Sequence, residues 1–194
     1  MESLAEQGGP VLIHVAMGIG LAACAGLRAF LPLLVIGLAG RWELVPLSPS
    51  FEWLAGTPAL VVFGVAVITE ALADKLPGVD HALDVLGAFV KPLTGALVTA
   101  TVVKDWTPLY ATVLCILVGG STAGVVHVAK AKLRLLSTIG SAGLANPLLS
   151  AVEDLGALAL AVAAILLPLA LLALLALGVG TAALVIRTRR RPGG

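Results

Sequence analysis

From Val11 to Gly40 the sequence runs for thirty residues with one charged side chain, Arg28. As a helix, at about 1.5 Å per residue, this run exceeds the roughly 30 Å hydrocarbon core of a bilayer. Further apolar runs follow at 58–75, 80–104, 108–127 and 150–186. In hydrocarbon every backbone N–H and C=O must find a partner within the protein, which restricts spanning structure to helices and closed barrels. Continuous apolar runs of this length are helices. Composition agrees: the chain is 59% hydrophobic and 12% charged, with a mean hydropathy of +1.08. A soluble domain is roughly 45–50% apolar and about 25% charged. The expectation is an all-α, polytopic helical membrane protein with about five transmembrane helices, within a range of four to six.

The organisation reads as a polar segment at 1–9, a single transmembrane domain at 10–187 and a basic tail at 188–194. The opening Met-Glu-Ser-Leu-Ala-Glu-Gln lacks a basic stretch and an Ala-x-Ala site, so no cleaved signal peptide is read. In the first run Gly18, Ala22 and Gly26 form a small-residue stripe that lets a neighbouring helix approach closely, and Pro32 is expected to kink it. Trp42 and Trp53 flank a loop at 41–50, as rings at headgroup level would. Thr57-Pro58 reads as a helix start with Thr57 as cap. The third run, with Asp80 as its cap, either spans or is re-entrant around Lys91-Pro92; spanning is preferred. The stretch 129–147 reads as a short amphipathic piece and a loop, with Ser150 and Glu153 as a capping box for the last run.

The tail Arg187-Thr-Arg189-Arg190-Arg191 marks a cytoplasmic C-terminus. With five spans this puts Lys130, Lys132 and Arg134 on the outer side, against the positive-inside rule. Breaking the last run at Pro168 would repair the conflict, but Leu166-Leu-Pro-Leu169 holds no usual turn residues.

Two halves, 11–103 and 108–187, look alike: Ala25-Gly26 matches Ala123-Gly124, and the stretch from Pro46 to Gly56, with Glu52, resembles Pro147 to Gly156, with Glu153. A true repeat across an odd number of spans would be inverted, a plan common in secondary transporters.

The polar residues concentrate between helices two and three, in Glu70-Ala-Leu-Ala-Asp74-Lys75-Leu-Pro77-Gly78-Val-Asp80-His81-Ala-Leu-Asp84. Each side of the Pro-Gly turn carries two carboxylates four residues apart, on one helix face. Counting residues from the loops places Arg28, Glu70 and Lys91 in one layer, about 18 Å in for the first two. An unpaired charge there costs about 2.5–3.5 kcal/mol on insertion scales. A charge-assisted contact between Arg28 and Glu70 is therefore expected. Two readings of the layer stand side by side: an ion-pair cluster that fixes helix register, or a polar site in a cavity. The hairpin reads as an interfacial turn with surface salt bridges, the alternative being a divalent-cation site built from carboxylate oxygens. His14, His81 and His127 read as satisfied imidazoles rather than metal ligands. Cys24 and Cys115 read as small, buried and inert, ahead of a disulfide or metal pair.

Taken in order, Gly20-Leu-Ala-Ala-Cys-Ala-Gly-Leu-Arg28-Ala-Phe-Leu-Pro-Leu-Leu34, Phe51-Glu-Trp-Leu-Ala55, Glu70, Pro77-x-x-Asp80, Leu83-Asp84, Gly119-Gly120 and Gly143-Leu-Ala-Asn-Pro147 resemble an uncharacterised bacterial membrane family, domain of unknown function 4126. The resemblance covers about 18–168. It implies a bacterial inner-membrane location and carries no activity or catalytic residues. It also places Asp74-Lys75 where many members have uncharged or aromatic residues, which favours Glu70, Asp80 and Asp84.

Candidate binding residues are thus Arg28, Glu70, Asp80, Asp84 and Lys91. No cofactor and no resident metal is called for, since no nucleophile elbow, phosphate loop or Cys/His zinc spacing occurs. The expected partners are the bilayer and a small solute or ion. The formal charge of +1 offers no basic stripe for nucleic acid outside the tail. Three functions follow: a small transporter or permease-like protein for an ion or small polar solute, a non-catalytic scaffold using faces such as Gly26 and Gly124, or a metal-assisted enzyme on a lipid headgroup using Glu70, Asp80 and Asp84.

Overall fold

The computed structural model describes residues 4–75, 79–103, 107–141, 146–168, 170–171, 173–174 and 177–181. Within these it describes the side chains of 12–75, 85–103, 107–140, 146 and from 148 onward. Each apolar run is helical and no strand occurs among the described residues. The helices are α1 (Leu4–Leu27), α2 (Leu31–Arg41), α3 (Thr57–Ala73), α4 (Val79–Val102), α5 (Pro108–Leu114), α6 (Ser121–Ser141) and α7 (Asn146–Leu166). A 3-10 helix, Pro49–Ala55, precedes α3, and a π-helical segment, Cys115–Gly120, joins α5 to α6.

The chain is an all-α polytopic membrane protein. By length and composition Val85–Val102, Pro108–Gly140 and Leu148–Leu166 can each cross a membrane, and the 3-10 helix with α3, bent by 67° at Gly56, adds a fourth if the pair is one span. The first run is two shorter apolar helices, Leu12–Leu27 and Leu31–Arg41.

Helix α1 is the centre. It packs on α4, α6 and α7, and Leu21 through Ala25 are buried all round, as a uniformly apolar helix must be. The expected stripe does not serve one neighbour. A Cβ on Gly18 would lie 2.9 Å from Thr99 Cγ2 on α4, one on Gly20 would lie 2.7 Å from Ala164 Cβ on α7, and one on Gly26 would lie 2.6 Å from the Ala123 carbonyl oxygen on α6. Three glycines thus admit three helices. By contrast, a Cβ on Gly124 would meet only Pro92 Cγ, at 3.6 Å. Gly26→Ala is therefore expected to destabilise the protein by about 1–3 kcal/mol through overpacking against backbone, while Gly124→Ala stays within about 0.5 kcal/mol. Unfolding in detergent micelles measures both; equal effects would contradict this packing.

Several boundaries differ from those read in the sequence. The first run does not merely kink at Pro32: it breaks over 28–30, and Pro32 sits in the first turn of α2, where its missing N–H is least costly. Thr57 opens α3 after Gly56 instead of capping it, and its hydroxyl oxygen accepts from Arg41 Nη1 at 2.9 Å. Helix α4 starts by Val79, so Asp80 lies inside it, and it continues through Lys91-Pro92 without re-entry. The largest correction concerns 129–147. Helix α6 runs on to Ser141 and α7 begins at Asn146, so Ser150 and Glu153 form no capping box. The charges at Lys130 and Arg134 look like the end of a membrane run, yet both side chains point inward and are buried.

Beyond α7 the hydrogen-bond ladder passes Pro168, with Leu167 N–H donating to Ala163 and Leu171 N–H to Leu167. Trp42 and Trp53 are exposed at the loop, as expected. Both cysteines are buried and free, and the Cys24 thiol donates to the Ala157 carbonyl at 3.2 Å.

Candidate functional site

A helix break leaves main-chain donors without helical partners, and in a membrane these must be satisfied from elsewhere. At 28–30 the partner is Glu70. Its carboxylate accepts from Ala29 N–H at 2.9 Å and from Phe30 N–H at 3.3 Å. Glu70 can reach because α3 lies along α2 and brings its last turn to the level of the break. The residue acts as a cap supplied by another helix, and its negative charge also suits the positive end of α2.

Arg28, the first residue past α1, turns the other way. Its Nη1 is 2.5 Å from Asp74 Oδ2, and its Nη2 lies 2.5 Å from Asp154 Oδ1 and 3.1 Å from Ser150 Oγ. Asp74 is the hub. The same oxygen receives Arg134 Nη2 at 3.1 Å and Lys130 Nζ at 3.4 Å. Glu153 closes the circuit, with one carboxylate oxygen 3.1 Å from both Lys130 Nζ and Arg134 Nη2. Lys130 also donates to the Leu27 carbonyl at 3.2 Å, tying the frayed end of α1.

Among the described residues three buried cations (Arg28, Lys130 and Arg134) thus face three carboxylates (Asp74, Glu153 and Asp154), drawn from the break after α1, from α6 and α7 and from the turn after α3, with the exposed Lys75 3.9 Å from Asp154. Of these three cations and three carboxylates, all but Asp154 are at least nine-tenths buried. Charges taken from water survive only when paired and hydrogen-bonded, and this balance meets that condition. The i, i+4 spacing of Lys130 and Arg134 on α6 puts both on one face toward Asp74 and Glu153.

On the other side of Glu70 lies a cavity of about 420 Å³ between α3 and α4. Ala29 and Phe30 of the break form one end; Val65, Thr69 and Glu70 come from α3, and Leu86 and Lys91 from α4. Lys91 is buried, and its Cε lies 3.3 Å and His127 Cε1 3.2 Å from where a Gly87 Cβ would stand. Its stem therefore runs along α4 toward α6.

The expected contact between the Arg28 and Glu70 side chains does not form. They lie at one level of the bundle, but Arg28 reaches only the Glu70 main-chain carbonyl, at 3.5 Å, because the carboxylate is committed to the break. The side chain discounted on the family resemblance, Asp74, takes the arginine instead. Glu70 and Lys91 do line one cavity, and Asp74 borders it. The side chains of Asp80, His81 and Asp84 lie outside the described residues, as does the basic tail. Sequence reasoning missed Lys130, Arg134, Ser150, Glu153 and Asp154. The signal available was the helical spacing of Lys130 and Arg134 and its match to two adjacent acids, Glu153-Asp154. Among the described residues no three His, Cys, Asp or Glu side chains converge as a metal site requires.

No curated protein and no solved structure matches the chain. The family model described as a domain of unknown function, DUF4126, matches residues 15–188. That span covers every residue named in the cluster and the cavity, and the chain belongs to this family.

Proposed function

We propose that the protein is a small transporter or permease-like protein for an ion or small polar solute, with its site in the cavity between α3 and α4. One observation carries the reading: Glu70 caps a broken helix and also lines that cavity. Non-helical backbone at membrane depth is tolerated where it is buried in protein or borders a cavity, and secondary transporters build sites from such discontinuous helices. In this reading the balanced cluster around Asp74 holds α1, α6 and α7 in register, and Glu70 and Lys91 serve the solute. An inverted repeat would suit it. The paired Ala-Gly dipeptides do meet, with Gly26 on Ala123, although Glu52 is exposed on a 3-10 helix while Glu153 is buried on α7.

The reading keeps the C-terminus cytoplasmic. Lys130 and Arg134 are neutralised by Asp74 and Glu153, so of the three basic residues at 130–134 Lys132 alone is exposed, which softens the conflict with the positive-inside rule. The scaffold reading weakens, since Gly26 is taken up by α6 inside the chain.

Purified protein in liposomes carrying proton, Na⁺ and K⁺ indicators should show flux above protein-free liposomes. Glu70→Gln should return the flux to that background. Flux unchanged by Glu70→Gln, or none with folded protein, overturns the reading.

A further inference from the structure

Among the ions and small polar solutes of the transport reading, the cavity at Glu70 favours an ion with an apolar body. It is almost wholly apolar, and it opens sideways between α3 and α4. Val62, Val65 and Leu86 line it and are 62%, 59% and 59% exposed. On a membrane protein that flank faces lipid. Its volume of about 420 Å³ falls in the range of roughly 300–1,000 Å³ that houses small organic ligands.

At the end formed by Ala29 and Phe30 the charged group is the Glu70 carboxylate. Arg28, Lys130 and Arg134 are matched by Asp74, Glu153 and Asp154. Lys91 lines the cavity from α4, with its Cε beside Gly87 and close to His127. Among the described residues no basic nitrogen lies within 4 Å of the Glu70 carboxylate, which is held by two main-chain N–H groups alone. Each carboxylate oxygen keeps acceptor capacity beyond those bonds, and the half-buried side chain borders the chamber. Phe30 borders the same end, an aromatic surface that attracts organic cations. Among the described residues a bare metal cation would find Glu70 and the ion-paired Asp74 and no oxygen cage.

We propose that this cavity binds a lipophilic organic cation, an ammonium or phosphonium with an apolar body, entering from the bilayer with Glu70 as its counter-ion. The proposal rests on the transport reading for its site, but binding tests it without flux. Tetraphenylphosphonium should bind the purified, detergent-solubilised protein saturably in equilibrium dialysis. Glu70→Gln should weaken binding by about tenfold or more. Ala66 of α3 also lines the cavity, and Ala66→Trp, which fills it and keeps the carboxylate, should do the same, so the answer does not hang on one variant folding. Tetraphenylborate, of matching shape and opposite charge, should not compete. Absent saturable binding, full binding by a folded Ala66→Trp or Glu70→Gln protein, or equal binding of tetraphenylborate overturns the proposal. Glu70-dependent binding without any liposome flux would retain this site and remove transport. Ion flux without phosphonium binding would do the reverse.

Discussion

Asp74→Ala is expected to destabilise the protein by about 3–5 kcal/mol, the usual cost of removing one partner from a buried charge network. Arg28, Lys130 and Arg134 all converge on Asp74 Oδ2. Without it the described carboxylates left to these three are Glu153 and Asp154, and a positive charge buried at Asp74 loses its partner. Asp154 provides the internal comparison. Its side chain is 30% exposed, so water screens what remains after Asp154→Ala, and a loss of about 1 kcal/mol or less is expected. Glu70→Ala falls between, at about 1–3 kcal/mol, because it strands two main-chain donors rather than a charge. Reversible unfolding in mixed micelles ranks the three. A double-mutant cycle adds a sharper check, since the Arg28–Asp74 coupling should exceed the Arg28–Glu70 coupling. Equal losses for Asp74→Ala and Asp154→Ala would show that Asp74 is not the hub.

Hydropathy made the helices legible, and residue counting brought Arg28 and Glu70 to one level of the bundle. Both operations depend on distance along one helix, which sequence states directly. What they could not supply was the azimuth of each side chain across helices. Arg28 and Glu70 share a layer, yet the break at 28–30 turns Arg28 toward α6 and α7, while the freed N–H groups of Ala29 and Phe30 take the carboxylate. Pro32 signalled an interruption, but only the structure shows which donors it releases. The charges of α6 misled for a related reason. Lys130 and Arg134 look like a membrane exit when charge is counted residue by residue, because their neutralising partners lie on α7 and in the turn after α3. Glu153 fitted a local capping motif four residues into an apolar run, and that local fit hid its long-range role. The cavity was illegible altogether, since it depends on α3 meeting α4 only sparsely.

The balance of the cluster leads to a second large effect and to its cancellation. Arg134→Ala and Glu153→Ala should each cost about 3–5 kcal/mol, because each leaves buried charge of one sign in excess. Removing both with apolar residues of similar volume, as Arg134→Met with Glu153→Leu, leaves Arg28 and Lys130 against Asp74 and Asp154. Among the described buried groups the count is again even, and contacts of 2.5 Å and 3.4 Å to Asp74 remain. Since buried ion pairs replaced by packed hydrocarbon are often neutral or stabilising, the double variant should lie within about 1 kcal/mol of the parent. It should also keep any Glu70-dependent flux and phosphonium binding, because neither residue borders the α3–α4 cavity. Unfolding midpoints in micelles, read beside both assays, decide the matter. A double variant as unstable as the sum of the singles would mean that these charges hold the fold by specific geometry rather than by balance. Restored stability with lost flux would instead place the cluster itself in the solute's path.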